Sequence, residues 1–197
     1  MIKRMEILQR NRSKVLALNS ENGDPVFTHK ATVFMHEYFR DRLRSTFSDE
    51  TDLDLYLADP SDLTRAQAIL ESNGYISEDE LSDHHVTYRY IFPKTGRRFL
   101  LELHYRVVGQ YQYSPANKLV DSVFSPECLK ASTQTIHGYT YTVLPPTEYT
   151  FYMIHHMLKH YLYSGFGIRL LCDFTFYLRK HADEIDFHKI HNWCQDS

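Results

Sequence analysis

The spacing of hydrophobic residues changes along the chain and divides it into helical and extended segments. Residues 3–19 and about 31–44 have apolar positions at helical spacing, which predicts two helices, with a short strand at 26–28 before the second. From Asp52 to Leu57 the pattern alternates, so that leucines point to one face and both aspartates to the other. A helix then starts near Pro60 and ends at Gly74, a typical C′ residue.

A second alternating stretch predicts a β-hairpin. Residues 86–92 form its first strand and 93–96 its turn. The apolar face of the return strand consists of Phe99, Leu101, Leu103, Tyr105 and Val107. Its polar face consists of Arg98, Glu102, His104 and Arg106. A glutamate within so apolar a strand needs a specific role, because an unpaired buried carboxylate is costly.

The rest of the chain becomes helical after one more strand. Residues 109–135 are predicted to be irregular with one short helix, and 139–144 form a strand. Helices follow over about 147–162 and 167–181 and from Asp186, a good N-cap, to the last residue. We therefore expect an α+β domain over 1–145 and a helical subdomain over 146–197. A helix still running at Ser197 is compatible with a longer native chain.

Composition and charge narrow the function classes. The hydrophobic share is 43% and the charged share 24%, which is typical of a folded globular protein. A net charge of -3 provides no general field for nucleic acid, so we expect no bulk nucleic-acid-binding surface. The three cysteines are far apart and form no disulfide or zinc pattern. Because the chain has neither a signal-like segment nor a membrane-length apolar run, we expect a cytoplasmic protein without a membrane partner.

The aspartate pair is the strongest chemical signal. Asp52 and Asp54 are about 7 Å apart at Cα by strand geometry and can bind one divalent cation together. Glu102, from a later strand, would complete a carboxylate set suited to Mg²⁺ or Mn²⁺. Such a site serves phosphoryl and nucleotidyl transfer, where positioning and charge neutralisation matter most. The structural alternative is that both aspartates are simply the solvated face of an edge strand.

Several short segments, in order, resemble a known family. They are Lys30, Asp52-Leu53-Asp54-Leu55, Leu70-Glu71-Ser72-Asn73-Gly74-Tyr75, Glu102-Leu103-His104-Tyr105, His156, His160, Arg169 and Asp173. On these residues the chain resembles the polymerase-β-type nucleotidyltransferase superfamily. Within it, the chain is similar to a bacterial family of uncharacterised nucleotidyltransferases. The resemblance extends from about residue 26 to 181.

The resemblance implies a fold, an activity and a set of site residues. The fold is a polymerase-β-like mixed sheet with flanking helices, followed by helices. The activity is metal-dependent transfer of a nucleoside monophosphate from an NTP to an acceptor, which the sequence leaves open as a small molecule, a protein or RNA. The implied catalytic and metal-binding residues are Asp52, Asp54 and Glu102, with Mg²⁺ or Mn²⁺. The implied nucleotide-binding residues are Lys30, Thr32, Arg44 and His104, and the cleft residues are His156, His160, Arg169 and Asp173.

Other interpretations of these residues stay open. The family's glycine turn is replaced by Lys30-Ala31-Thr32, and a Cβ there would crowd a phosphate, which favours a binding module that kept the fold but altered its catalysis. A metal-dependent phosphohydrolase fits the downstream motifs less well. His156 and His160 have a zinc-like spacing, but Met157 stands where a metalloprotease has glutamate.

Overall fold

A computed structural model describes residues 31–34, 52–57, 59–94, 96, 98–130, 132–136, 139–163, 165 and 167–195. The predicted helix over 3–19, the strand at 26–28, Lys30 and Arg44 lie outside these residues. The side chains of Asp52 and Arg169 are likewise outside the described part.

Within the described residues, seven strands form one mixed sheet. They are β1 (Ala31–Phe34), β2 (Asp52–Leu57), β3 (Ile76–Leu81), β4 (His85–Ile91), β5 (Arg98–His104), β6 (Ser132–Ile136) and β7 (Tyr139–Val143). Their spatial order is β3-β4-β5-β2-β1-β7-β6. Strands β2 and β5 are parallel, as are β1 and β7, and the other neighbours are antiparallel. The predicted α+β class with a mixed sheet is confirmed.

Five α-helices of the described part flank this sheet. They are α1 (Leu63–Ser72), α2 (Ser114–Val123), α3 (Pro146–Tyr163), α4 (Ile168–His181) and α5 (Phe187–Gln195). The last three lie where the apolar spacing predicts them. The Asp186 carboxylate accepts the Lys189 N–H at 2.9 Å, so the expected N-cap of α5 is present. Among the described helices, none combines the length and apolar character that a membrane span requires.

Local chemistry at both ends fixes helix α1 between β2 and β3. The Asp59 carboxylate accepts the Ser61 N–H at 2.9 Å, with Pro60 opening a 3₁₀ turn (Pro60–Asp62). At the other end Gly74 has φ +81°, and its N–H donates to the Glu71 carbonyl at 3.0 Å. This left-handed C′ glycine confirms the predicted end of the helix.

Three extended segments differ from the sequence-based expectation. The helix predicted from residue 31 is wrong at its start, because Ala31–Phe34 is a strand antiparallel to β2, with Ala31 opposite Leu57. The β-branched Thr32 and Val33 suit an extended backbone, and pairing with β2 outweighs the helical spacing. Strands β3 and β6 were not predicted. Strand β3 is an acidic edge strand without an apolar alternation that would have marked it.

The sheet separates two hydrophobic cores. On one face, Leu55, Leu57, Leu101 and Leu103 pack with residues of α1. On the other face, Tyr56 joins a core supplied mainly by α2, α3 and α5. Asp54 is one strand period from Tyr56, so the predicted carboxylate site lies on the face covered by these helices. The division into domains at residues 145 and 146 stays a prediction.

Candidate functional site

Asp54 and Glu102 are direct neighbours on the two central parallel strands. Their Cα positions are partners in the register of β2 and β5, which puts both side chains on one face. Asp54 is only 9% exposed. Asp54, Glu102 and His104 each offer one ligand atom within 4.8 Å of the others. The backbone of Asp52 lies in β2 opposite Leu100, two residues before Asp54.

His104 belongs to this group as well as to the nucleotide-binding set implied by the resemblance. It is buried, and its Nε2 lies 3.3 Å from Oε2 of Glu102. The Glu102 side chain is one-third exposed, so its carboxylate reaches solvent while its backbone is held in β5. The His104 ring is therefore placed to hold the Glu102 carboxylate in one orientation.

The donor set fits a divalent cation. The two carboxylates are the oxygen donors that Mg²⁺ and Mn²⁺ prefer. The imidazole of His104 adds a nitrogen donor, which suits transition metals better than Mg²⁺. Asp54, Glu102 and His104 could each supply one ligand to such a cation, and water or substrate oxygens would fill remaining positions.

A run of polar residues before β4 also reaches this face. His85 is the direct antiparallel partner of His104, and His84 precedes it. The Ser82 hydroxyl accepts the backbone N–H groups of His84 and His85 at 3.3 and 2.9 Å. Neither histidine was predicted as a site residue, although symmetry about the predicted turn at 93–96 places His85 opposite His104.

Asp83 and the 109–110 backbone fix the ring of His84. Nδ1 of His84 lies 2.8 Å from Oδ1 of Asp83, and Nε2 lies 3.0 Å from Nδ1 of His85. The other Asp83 oxygen accepts the Gln110 N–H at 2.6 Å. A Cβ at Gly109 would come within 2.7 Å of Oδ1 of Asp83, so this approach requires glycine.

Burial and hydrogen bonding set the protonation states here. Burial lowers the pKa of His84 to about 4, although its hydrogen bond to the Asp83 carboxylate opposes this shift. Burial also lowers the pKa of His85, against the charge of Glu102. Burial raises the pKa of Asp83, but its bonds to Gln110 and His84 outweigh that effect and lower it overall. At neutral pH the cluster therefore combines neutral imidazoles with a charged carboxylate.

The predicted cleft histidines lie on α3, in a different environment. His156 Nδ1 is 3.0 Å from the Tyr152 hydroxyl, and its ring centroid is 4.6 Å from that of His160. The buried histidine of this stretch is His155, whose Nδ1 lies 2.8 Å from the Tyr111 hydroxyl. Neither His156 nor His160 enters the metal-ligand groups found among the described residues.

The remaining predicted residues are only partly described. Thr32 lies in β1 with its backbone opposite Tyr56, and so not in the turn expected at 30–32. Asp173 is partly buried on α4, close in sequence to Arg169. The assignments of Lys30, Thr32 and Arg44 to nucleotide binding stay predictions.

A lysine that was not predicted joins the loop next to the histidines. Lys159 Nζ donates to the Gln110 carbonyl at 3.0 Å and lies 5.1 Å from the centre of the Tyr111 ring. Burial lowers the pKa of Lys159, while the charge of Asp83 raises it. A cation of α3 is thus held at the same loop that fixes Asp83.

Comparison with known proteins identifies what the chain is similar to. The family model described as "Uncharacterised nucleotidyltransferase" matches residues 4–196. The solution structure of the antibiotic-resistance factor ANT(2'')-Ia matches with a TM-score of 0.52 at 11% identity, covering 92% of this chain and 85% of that chain. At that identity the similarity shows a common fold alone.

A second solved structure and the curated proteins add little. A nucleotidyltransferase-like antigenic protein from Paracoccidioides brasiliensis has a TM-score of 0.45 at 16% identity, covering 85% of this chain and 72% of that chain. No curated protein matches the chain.

Proposed function

Because the chain belongs to the family of uncharacterised nucleotidyltransferases, we propose that it transfers a nucleoside monophosphate from an NTP to an acceptor with a divalent cation held by Asp52, Asp54 and Glu102. The observation that carries this proposal is the direct pairing of Asp54 and Glu102 on adjacent parallel strands, with ligand atoms within 4.8 Å. Mg²⁺ or Mn²⁺ fits the carboxylate donors.

Each side chain has a role that follows from its position. Asp54 is almost completely buried on a strand and would bind the cation in a low-dielectric setting, where charge interactions are strong. A bound cation would neutralise charge on the phosphoryl oxygens of the nucleotide. The Glu102 side chain is more exposed than that of Asp54. Its carboxylate accepts the proton of the acceptor hydroxyl while the hydroxyl oxygen bonds to the α-phosphorus of the NTP and pyrophosphate leaves. His104 positions Glu102.

The finer parts of the proposal concern the two substrates. Lys30, Thr32, Arg44 and His104 would contact the NTP, as the family resemblance implies. The acceptor stays open among a small molecule, a protein and RNA. The cytoplasmic location expected from the sequence also stays a prediction.

The binding-module alternative rests on the turn Lys30-Ala31-Thr32, where a Cβ would crowd a phosphate, and Lys30 lies outside the described residues. Ala31 and Thr32 pair with Leu57 and Tyr56 in β1, and this alternative stays a prediction. The phosphohydrolase alternative, which fits the downstream motifs less well, also stays a prediction.

Calorimetric titration of the four NTPs tests this function. With Mg²⁺ we expect at least one NTP to bind about tenfold or more tighter than in EDTA, within the usual range of coupling between two ligands. The isosteric variants Asp54→Asn and Glu102→Gln should lose this gain. Glu127→Gln, which changes an exposed carboxylate outside the site, is the matched control. Nucleotide binding that ignores both the metal and the site variants would contradict the proposal.

A further inference from the structure

A cluster of three histidines lies beside the acidic pair. We propose that His84, His85 and His104 form a binding site for one transition-metal ion of the Zn²⁺ class. This site differs in donor type from the carboxylate group, and it does not depend on the proposed reaction.

The spacing of the three rings suits one ion. Each histidine offers a nitrogen, and these atoms all lie within 4.8 Å of one another. In a tetrahedral zinc site with Zn–N bonds of about 2.0–2.1 Å, neighbouring nitrogens are about 3.4 Å apart. Nε2 of His84 and Nδ1 of His85 are 3.0 Å apart, close to that separation. Three protein ligands would leave a fourth position open.

The backbone that carries the rings is well fixed. His85 and His104 are direct partners in the antiparallel ladder of β4 and β5. The His84 carbonyl accepts the N–H groups of Tyr105 and Arg106 at 2.9 and 3.1 Å. All three ligands are therefore tied to the start of β4 and the end of β5, which favours a preformed site.

A supporting shell orients His84 as a metal ligand would be oriented. Asp83 binds the Nδ1 side of the ring, which leaves Nε2 as the donor directed at His85. Metal-binding histidines commonly contact a carboxylate through their other nitrogen in this way. Asp83 is itself held by the Gln110 N–H, in a space that only Gly109 leaves open. Three contacts in succession, from Gln110 through Asp83 and His84 to His85, thus fix one ring whose role no part of the proposed reaction explains.

The type of donor selects the metal. Imidazole nitrogens favour Zn²⁺ and similar ions, whereas carboxylate oxygens favour Mg²⁺ and Mn²⁺. His104 is a member of both groups, so the two sites share this ligand. His84 and His85 belong to the histidine group alone, so substitutions of these two residues distinguish one site from the other.

Zinc titration without nucleotide tests the proposal. The full chain, freed of metal with EDTA, is titrated with ZnCl₂ by calorimetry and with CoCl₂ by visible absorption. We expect one Zn²⁺ per chain and a tetrahedral cobalt spectrum. Asp83→Asn should weaken Zn²⁺ binding about tenfold or more, as for other outer-shell residues. His84→Ala and His85→Ala should weaken it further, and the exposed control His188→Ala should have no effect.

The results separate this site from the proposed reaction. Zinc binding that survives in Asp54→Asn but not in folded His84→Ala supports the histidine site, whatever the NTP titrations show. Far-UV circular dichroism checks that each variant folds. If His84→Ala does not fold, His84→Gln is measured in its place. Zinc affinity unchanged in the His84 and His85 variants, or lost only in Asp54→Asn and Glu102→Gln, overturns the proposal.

Discussion

At the scale of single residues, the two halves of the site differ in how far the sequence predicts them. Alternation predicted that Asp54 and Glu102 each lie on the polar face of their own strand, but not the parallel pairing that makes them neighbours. The turn at 93–96 also places His85 opposite His104, although His85 was not predicted as a site residue. The bond from Gln110 to Asp83 joins residues 27 apart in a loop, and no local pattern encodes such a contact.

Gly109 gives a residue-scale prediction. In Gly109→Ala the new Cβ would displace the Asp83 carboxylate and release the His84 ring. We expect Zn²⁺ affinity to fall about tenfold. The free energy of unfolding should change by less than about 1 kcal/mol, because the crowded atoms end flexible side chains. Zinc titration and urea unfolding measure both effects. Gly167→Ala, in open space, is the control, and equal zinc affinity in both variants would argue against the shell.

His155 gives a prediction about pH. Burial against Phe151 and the Tyr111 hydroxyl lowers its pKa from 6.5 to about 4. Between these values the unfolded chain binds a proton that the folded chain does not, so stability is lost as pH falls through this range. We expect wild type to lose about 2 kcal/mol more than His155→Gln between pH 7 and 4.5.

Urea unfolding at the two pH values measures this difference. His188→Gln, which changes an exposed histidine of α5, is the matched control and should lose as much stability as wild type. An equal loss in wild type and His155→Gln would show that His155 titrates normally in the folded chain.

At the scale of elements, prediction succeeded where the signal is local. The 3₁₀ turn before helix α1 has a capping residue, and α1 has an apolar stripe and a terminal glycine. Strands β2 and β5 have regular alternation. The prediction for the residues of strand β1 was wrong because their conformation depends on pairing with β2, about twenty residues later in the chain. The acidic β3 is an edge strand held by a neighbour, and its own composition does not mark it.

The end of α1 gives an element-scale prediction. Gly74 has φ +81°, while its nearest side-chain atom, on the Tyr90 ring, leaves room for a Cβ at 3.6 Å. The cost of Gly74→Ala is therefore backbone strain, which we expect to lower the free energy of unfolding by about 1 kcal/mol. Gly74→Asn should cost less, because asparagine tolerates the left-handed region. Thermal or urea unfolding compares them, and equal stability of the two variants would be contrary to this account.

At the scale of the whole molecule, the sheet lies between two cores, and the carboxylates lie on the face that the helices cover. The C-terminal end is attached to α3 by polar contacts. The Lys189 ammonium lies 2.8 Å from Oε1 of Glu148, and the Asp186 N–H donates to the Thr147 hydroxyl at 3.0 Å. The order of family-like segments along the chain predicted a mixed sheet with flanking helices, through the resemblance to the nucleotidyltransferases. The packing of helices against the sheet depends on contacts between distant residues, which periodicity does not reveal.

The central claim is that Asp54 and Glu102 act together on one cation for the nucleotide, and a double-mutant cycle tests it most directly. ATP, or whichever NTP the wild type prefers, is titrated in Mg²⁺ into wild type, Asp54→Asn, Glu102→Gln and the double variant. Residues that share one ion are not independent, so each single variant should lose about tenfold in affinity and the double variant little more. Losses that simply add, or a single variant that binds like wild type, would contradict the claim.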